Sequence, residues 1–368
     1  MSISSRPEGA AHNRSPDFSR ITAGILSFNR KEDLRRTLTA VLAIPGLRVL
    51  VIDNASTDGT REMLIHDFRM NISDLTPASP DVRPGLGYAA PSGRESDTAA
   101  NLEDATPSGR EGDTAANLED ATPAGLMCLE RNIGIAARNI FFEVVETEFL
   151  LTLDDDSWPR SGEDVARMLA GMDGDERVAS VCASCVHPDT GVAETQGIER
   201  FASGGNAASG YDVVNIAAGG TLLRMAAVRQ THGYGAEFFW GREENDLAFQ
   251  LLQHGWRVTY DPRAVVWHAL SPAGRQKYDR LRFVTRNSLW LLWKYFPLSA
   301  AVPVSLLYAV RRMLPIVKDP RRTGAVLGGL AEGYGGLRAR RRLPENTRRF
   351  TLRESWFHRG WFLKLLYE

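Results

Sequence analysis

The chain has 368 residues, 43% of them hydrophobic and 24% charged, enough for one large α/β domain with appendages or for two domains. With 44 basic against 45 acidic residues the net charge is −1, so no global field draws it to nucleic acid or another acidic polymer. Three cysteines, Cys128, Cys182 and Cys185, exclude a disulfide framework and suit a reducing cytoplasm.

Residues 1–20 are polar, lack the apolar run of a signal peptide, and read as a disordered tail. ITAGILSF (21–28) then reads as a buried strand. Asn29, with Glu32 three positions on, has the pattern of a capping box, and Leu34, Leu38, Val41 and Leu42 come next at helical spacing. Pro45-Gly46 ends that helix, and LRVLVIDN (47–54) is a second apolar strand. Strand, helix and strand in so short a span make a βαβ unit, so the sheet is expected to be parallel with right-handed crossovers. Ligands of such sheets sit off the carboxyl ends of the strands. That singles out Ser27, Asn29 and Arg30 after the first strand, Asp53 to Thr60 after the second, and Asp154 to Ser157 after a later one.

PSGRESDTAANLEDAT (91–106) recurs almost unchanged as PSGREGDTAANLEDAT (107–122), and a third copy stops after Gly125. Two copies are too few for a solenoid, and with so few large apolar residues the segment cannot offset its ordering entropy. It reads as a disordered surface insertion over 91–125, outside the chemistry. RNIGIAARNIFFEVVETEFLLTLDDD (131–156) gives a glycine turn, an amphipathic helix carrying Ile140, Phe141, Val144 and Val145, and another strand. Residues 178–186 and 213–225 read as further strands, with Cys182 and Cys185 as buried small residues rather than a metal or redox pair. FFWGREENDLAFQLLQHGW (238–256) opens on acids and becomes a helix, and RVTYDPRAVVWH (257–268) is a strand ending in histidine. Residues from 280 onward are mainly helical, with apolar, aromatic and basic faces. LSAAVPVSLLYAV (298–310) is too short to span a bilayer and contains Pro303.

Three adjacent carboxylates repel one another. If strand geometry continues through them, Asp154 and Asp156 point one way and Asp155 the other. Two carboxylates on one side of a strand end form a hard-oxygen site for Mg²⁺ or Mn²⁺, which would cancel the repulsion and hold a diphosphate. Asp155 would then face a nucleoside or a helix N-terminus. The plainer alternative is a solvated acidic turn ahead of Trp158-Pro159. Asp53, at another strand end and followed by small turn-forming residues, could accept a hydrogen bond from a uracil or thymine imide or from a ribose hydroxyl. Ser56 or Asp58 is suited to cap the next helix.

ILSFNR (25–30), VLVIDNASTDGT (49–60), RNIGIAARN (131–139), LTLDDDSWP (151–159), AAGGTLLR (217–224) and GYGAEFFWGREENDL (233–247) together resemble the ordered motifs of the family 2 glycosyltransferases. TRNSLWLLWKYFP (285–297) is similar to the segment just beyond the domain in rhamnosyl- and galactofuranosyl-transferase-like members. The resemblance implies a GT-A fold, a Rossmann-like and mostly parallel sheet flanked by helices, with a helical C-terminal extension. It divides the chain into a tail (1–20), a catalytic domain (21–280) and a basic helical region (281–368). It implies an inverting, cytoplasmic transferase that moves a sugar from a nucleoside diphosphate, UDP or dTDP foremost, to a hydroxyl of a glycan, glycolipid or natural product. On this resemblance Asp53 is the nucleoside aspartate, and Asn132, Gly134, Arg138 and Asn139 line the nucleotide pocket. Asp154 and Asp156 are the D-x-D metal ligands, and His268 completes the metal site. The base comes from Glu243-Glu244-Asn245-Asp246, where Glu244 stands in place of the usual aspartate. Its extra methylene leaves Glu243 and Asp246 open as alternatives.

Tyr234, Phe238, Phe239 and Trp240 precede these acids and either stack on an acceptor sugar or belong to the core, the latter for at least two of them. The basic, apolar C-terminal helices have the pattern of a segment lying on an anionic membrane at the inner face of the plasma membrane, where a lipid-linked acceptor would be met. A solvated helical bundle or a homodimer interface fits the same pattern. Two other functions use similar residues. A sugar-1-phosphate nucleotidyltransferase would need a phosphate loop that SFNRKEDL does not supply. A catalytically silent sugar-nucleotide-binding scaffold would have no need of the intact acid cluster.

Overall fold

The computed structural model describes residues 16–72, 124–195, 198–202, 204–206, 210–217, 219–270 and 277–339. Most of the repeat, the first 15 residues and the chain after 339 lie outside them. Two expectations at these borders are corrected. Phe18–Arg20 form a 3-10 turn rather than a tail, because Arg20 bonds Glu148 and Asp173 at 2.8 Å each. Ala124 and Gly125, the last two residues of the expected insertion, already pair in the sheet.

The chain runs β1 (Ile21–Ser27), α1 (Lys31–Leu42), β2 (Arg48–Asp53), α2 (Thr60–His66), β3 (Asn71–Ile72), β4 (Ala124–Cys128), α3 (Asn139–Val144), β5 (Phe149–Asp154), β6 (Ser157–Pro159), α4 (Gly162–Gly174) and β7 (Val178–Val186). It continues through β8 (Gly204–Asn206), β9 (Gly210–Asp212), β10 (Thr221–Arg224), α5 (Met225–Val228), α6 (Glu243–Gln253), β11 (Arg257–His268), α7 (Lys277–Tyr295), α8 (Leu298–Met313) and α9 (Thr323–Ala339). Among the described residues the strands form one sheet in the order β3-β4-β2-β1-β5-β10-β7-β11-β9-β8, with β6 on the end of β11.

β3, β4, β2, β1 and β5 are parallel, as are β7 and β11. β10 runs antiparallel between β5 and β7, so the sheet is mostly parallel, as expected, with an antiparallel strand at its centre. The strand expected at 213–225 shrinks to Thr221–Arg224, because Asn215 to Ala217 leave the sheet to line a cavity beside it. β1, β2 and β5 are buried on both faces, which is why they read as continuous apolar runs rather than alternating ones. One face packs on Leu34, Leu38 and Val41 of α1 and on Val165, Met168 and Met172 of α4. The other packs on Ile140 and Phe141 of α3 and on Leu247 and Leu251 of α6. A third cluster joins Phe249 of α6 to Leu289, Leu292, Trp293 and Phe296, so the C-terminal helices are anchored on the helix that carries the acids.

The capping box does not form. Asn29 adopts φ 53° and its side chain accepts from Thr57 N at 2.7 Å. The first turn of α1 is instead capped from outside by Asp58, which accepts from Lys31 N at 3.0 Å. Cys182 and Cys185 are buried in β7, with Cys182 bonding Thr221 at 3.2 Å. Leu298–Val317 forms a continuous helical run of 20 residues with mean hydropathy 1.4, long and apolar enough to cross a membrane. The expectation that this segment is too short for that is corrected, because the helix does not stop at Val310.

Candidate active site

The parallel register sets the site out along one edge. Ser27 lies beside Asp53, and Leu26 beside Asp154, so the three strand ends are neighbours at the carboxyl edge. Asp53 and Asp154 stand two strands apart, about 10 Å, the span of a nucleoside and its first phosphate.

β5 ends at Asp154, and Asp155 and Asp156 form the turn that leads into β6. The predicted division of the acids holds, but a turn produces it rather than strand alternation. The turn is pinned from three sides. Ser157 Oγ accepts from Asp154 N at 2.8 Å, Thr37 Oγ1 donates to Asp155 O at 2.8 Å, and Ala269 N donates to Asp156 O at 2.9 Å. That last bond, with the pairing of His268 to Ser157, brings the end of β11 against the acids.

Their charge is met by two arginines, Arg138 buried and Arg30 partly so. Arg138 bonds Asp154 Oδ1, and Arg30 Nη1 lies 2.7 Å from Asp155 Oδ1 and 3.0 Å from Asp156 Oδ2. Asp154 and Asp156 each turn their second oxygen toward His268, whose Nε2 is 3.9 Å from Asp154 Oδ2 and 3.2 Å from Asp156 Oδ1. One donor atom from each of the three lies within 4.8 Å of the others. Two carboxylate oxygens and one imidazole nitrogen in that arrangement fit a small divalent cation. On its far side His268 Nδ1 is 2.7 Å from Glu194 Oε1, the carboxylate–histidine pairing that orients metal ligands. Burial opposes a charge on His268, yet Asp156 and Glu194 carry its pKa up to about 10. Gly219 makes room here: a Cβ on it would stand 2.9 Å from Asp154 Oδ2.

Asp155 faces away from this cluster, toward Ser27 Oγ at 3.2 Å and Arg30, and burial pushes it up to about 7 against the pull of Arg30. It supports the turn and makes no approach to the cavity. Several residues expected to line a nucleotide pocket are likewise turned to the scaffold. Asn132 accepts from Asn54 Nδ2 at 2.9 Å and Gly134 N at 2.8 Å. Asn139 clamps Tyr234, accepting from its N at 2.7 Å and donating to its O at 2.8 Å. Arg138 holds Asp154, Arg30 holds the turn, and Asn29 holds the loop after β2. Gly134, at φ 64°, leaves space for Phe239, whose ring and carbonyl a Cβ would meet at 3.0 Å. These side chains are spent on holding the strand-end loops in place. Asp53, buried at the strand end and accepting from Ser56 N at 3.1 Å, is raised above the usual carboxylate range by that burial.

The acids of α6 reach the cluster from the other side. Glu243 and Glu244 line a cavity of about 660 Å³ together with Asp154 and His268. Burial raises both carboxyls, and Glu243, repelled by Glu244, rises well above its ordinary value. The two buried carboxyls therefore resist carrying two charges at once and share a proton as a pair. Asp246 is removed from the candidates. It bonds Lys294 Nζ at 2.8 Å, Tyr295 Oη at 2.7 Å and Gln250 Nε2 at 2.9 Å, and so fixes α6 to α7.

The loop ahead of α6 is bent sharply. Phe239 (φ 57°) and Arg242 (φ 77°) occupy the left-handed region that side chains avoid. Asn287 Nδ2 holds this loop through the carbonyls of Phe238 (3.1 Å), Trp240 (3.1 Å) and Gly241 (2.6 Å), and Arg286 Nη2 adds bonds to Glu237 O and Phe238 O. Of the four aromatics, Tyr234 and Phe238 are core, Phe239 is exposed, and Trp240 lines the cavity with Arg280 stacked on it at 5.6 Å. Sequence reasoning missed Glu194, Arg286, Asn287, Lys294 and Tyr295 as supports of the site. The polar run Thr285-Arg286-Asn287-Ser288, set directly before the apolar stretch LWLLW of the same helix, was the available signal.

Residues 22–71 match the family model described as Glycosyl transferase family 2. None of the curated proteins compared with the chain matches it in sequence. Among solved structures, the mannosyltransferase PcManGT from Pyrobaculum calidifontis, in complex with GDP-Man and Mn²⁺, is similar at 14% identity and TM-score 0.51, over 96% of this chain and 88% of that one. GalNAc-T7 with UDP, GalNAc and Mn²⁺ is similar at 12% identity and TM-score 0.52, over 88% of this chain and 58% of that one. TarS of S. aureus is similar at 13% identity and TM-score 0.50, over 94% of this chain and 54% of that one. The chain thus spans little more than half of the last two proteins. At these identities the likeness is one of fold, and it is the mixed α/β arrangement anticipated from the motifs.

Proposed function

We propose that this chain, a family 2 glycosyltransferase of the GT-A fold, moves a sugar from a nucleoside-diphosphate donor to an acceptor hydroxyl with inversion at the anomeric carbon. The observation that carries the reading is the convergence of Asp154, Asp156 and His268, each with one donor atom within 4.8 Å of the others, with Asp154 and His268 lining the cavity that Glu244 also lines. PcManGT and GalNAc-T7 were both solved with Mn²⁺ and a nucleotide, which supports a sugar nucleotide and Mn²⁺ or Mg²⁺ as the ligands here. Asp154, Asp156 and His268 would hold the cation, and the imidazole favours Mn²⁺ over Mg²⁺. Such a cation supplies a Lewis acid that offsets charge growing on the departing diphosphate.

The remaining steps belong to side chains. Asp53 accepts from the donor's base or ribose, about two strand spacings from the acids. Glu244 takes the proton of the acceptor hydroxyl as its oxygen attacks the anomeric carbon opposite the leaving group. Glu243 lies beside it, and a proton shared by the two carboxyls when no acceptor is present keeps the pair from carrying two buried charges. Trp240 offers a face for an acceptor sugar.

Nucleoside diphosphates of uridine, thymidine and guanosine, each titrated by thermal shift with and without Mn²⁺, test the donor half. At least one should stabilise the protein only when Mn²⁺ is present, and Asp156→Asn should remove that stabilisation. Release of pyrophosphate from a sugar-1-phosphate and nucleotide mixture, or a product retaining the donor's anomeric configuration, would overturn the reading.

A further inference from the structure

The C-terminal helices leave a surface that the catalytic reading does not use. Leu298, Val302, Leu306, Val310 and Leu314 recur at every fourth position along α8 and its extension, and all are exposed, from 41% to 61%. Leu307, Met313 and Val317 widen the row, and Val317 is 85% exposed. The row spans sixteen steps of helix, about 24 Å. The opposite face of α8 is occupied: Ala301, Ser305 and Tyr308 are buried, and Ala301 and Tyr308 join the cluster that α7 and α9 share. So long an exposed apolar row is costly in water unless something covers it.

Its border is basic. Arg311, Arg312, Lys318, Arg321 and Arg322 lie within a dozen residues, against a single acid, Asp319, which pairs with Arg322 at 3.2 Å. Two of these, Arg312 and Arg322, also line the cavity that holds Asp154, Glu244 and His268. Arg280 lines it as well. The cavity is therefore lined by acids and arginines together, and two of those arginines, Arg312 and Arg322, belong to the basic border of the apolar row.

We propose that the face of α8 and its extension seats on an anionic lipid bilayer and opens the cavity to acceptors carried in that bilayer. Charge complementarity argues for a bilayer over a second copy of the chain, because two copies would bring like-charged borders together. A seat argues over a span, because one face of α8 is already packed on the domain and Arg311 and Arg312 interrupt the apolar run. The seat stands on the exposed row and its basic border alone. The acceptor class, a lipid bearing a phosphate near the sugar to be extended, rests on the functional reading above.

Co-sedimentation with phosphatidylcholine vesicles, with and without phosphatidylglycerol, is the test, run alongside Mn²⁺-dependent donor hydrolysis in solution. The full chain should sediment with the anionic vesicles and be released in part by high salt. The triple variant Leu306→Ser, Leu307→Ser, Val310→Ser should lose roughly tenfold or more of this binding. The pair Lys318→Gln, Arg321→Gln should lose mainly the preference for phosphatidylglycerol. Both should hydrolyse donor in solution as the parent does. Absence of vesicle binding, equal binding by the triple variant, or a dimer in light scattering that the triple variant dissolves would overturn the seat. Vesicle binding without donor hydrolysis by any form would leave the seat standing and count against the catalytic reading instead.

Discussion

Asn287→Ala tests whether α7 governs the glutamates proposed as the acceptor-side acids. Asn287 is fully buried, and its amide reaches the carbonyls of Phe238, Trp240 and Gly241. Phe238 O keeps a second donor in Arg286, so the substitution orphans chiefly Trp240 O and Gly241 O. A buried carbonyl without a partner costs about 1–3 kcal/mol, and these two bonds are part-buried, so the loop loses at most roughly 2–6 kcal/mol of support. Against it stand Phe239 and Arg242 in left-handed backbone, a strain of about 1–2 kcal/mol each. The two magnitudes are comparable. The loop is therefore expected to relax rather than hold its shape over empty bonds, and Glu243 and Glu244 begin one residue beyond it. A shift of about 1 Å in a reacting group costs on the order of a hundredfold in rate. The expected result is a kcat lower by roughly ten- to a hundredfold, with the Kd for nucleoside diphosphate and Mn²⁺ within about twofold of the parent. Asn287→Asp, which cannot donate to three carbonyls, should be worse than alanine. Calorimetric Tm and steady-state kinetics on the same samples decide it. An unchanged kcat, or a loss of donor affinity as large as the loss of kcat, would refute the argument.

Three further expectations come from the same geometry. Burial raises Glu243 in the folded state, so the native protein holds a proton that the unfolded chain releases near its ordinary pKa. Stability from that site is whole below the unfolded pKa and declines as pH rises toward the folded one. Glu243→Gln should accordingly flatten the pH dependence of Tm above the usual glutamate range and raise Tm at neutral pH. Glu194→Gln can still accept from His268 Nδ1 but without charge, so Mn²⁺ affinity by isothermal titration should fall roughly tenfold or less, and Glu194→Ala should fall further. Gly219→Ala would set a methyl 2.9 Å from Asp154 Oδ2 and 3.0 Å from Ser157 Oγ, so Mn²⁺ binding should weaken while nucleoside binding without metal does not.

The parts of this fold that were legible are those whose cause is local or periodic. ITAGILS, RVLVID and FLLTLD read as strands because each is buried on both faces, and β11 could be bounded at both ends from its own residues. The acid triplet was legible in outcome but not in cause, since a turn fixed by Ser157, Thr37 and Ala269 does what strand alternation was expected to do. What escaped was pairing at long range. Asn29 looked like a cap for α1, but its partner is Thr57, 28 residues on. Asn139 looked like a nucleotide contact, but it clamps Tyr234, 95 residues away. Asp246 looked like a base and instead joins Lys294 and Tyr295, 48 and 49 residues on. In each case the side-chain type was right for chemistry and equally right for a buried hydrogen bond, and only the fold decides which.

That distinction bears on how the site is built. The metal cluster is held by elements of the sheet: β5, the turn after it, and the end of β11. The glutamates are held by a bent loop whose shape depends on Arg286 and Asn287, and by a helix fixed to α7 through Asp246. The acid–histidine cluster and the glutamates thus rest on different supports. A change in α7 can move Glu244 by a fraction of an ångström while Asp154, Asp156 and His268 stay in place. The bent backbone of Phe239 and Arg242 is held against its own preference from outside the sheet, by Arg286 and Asn287, and it sets where α6 begins.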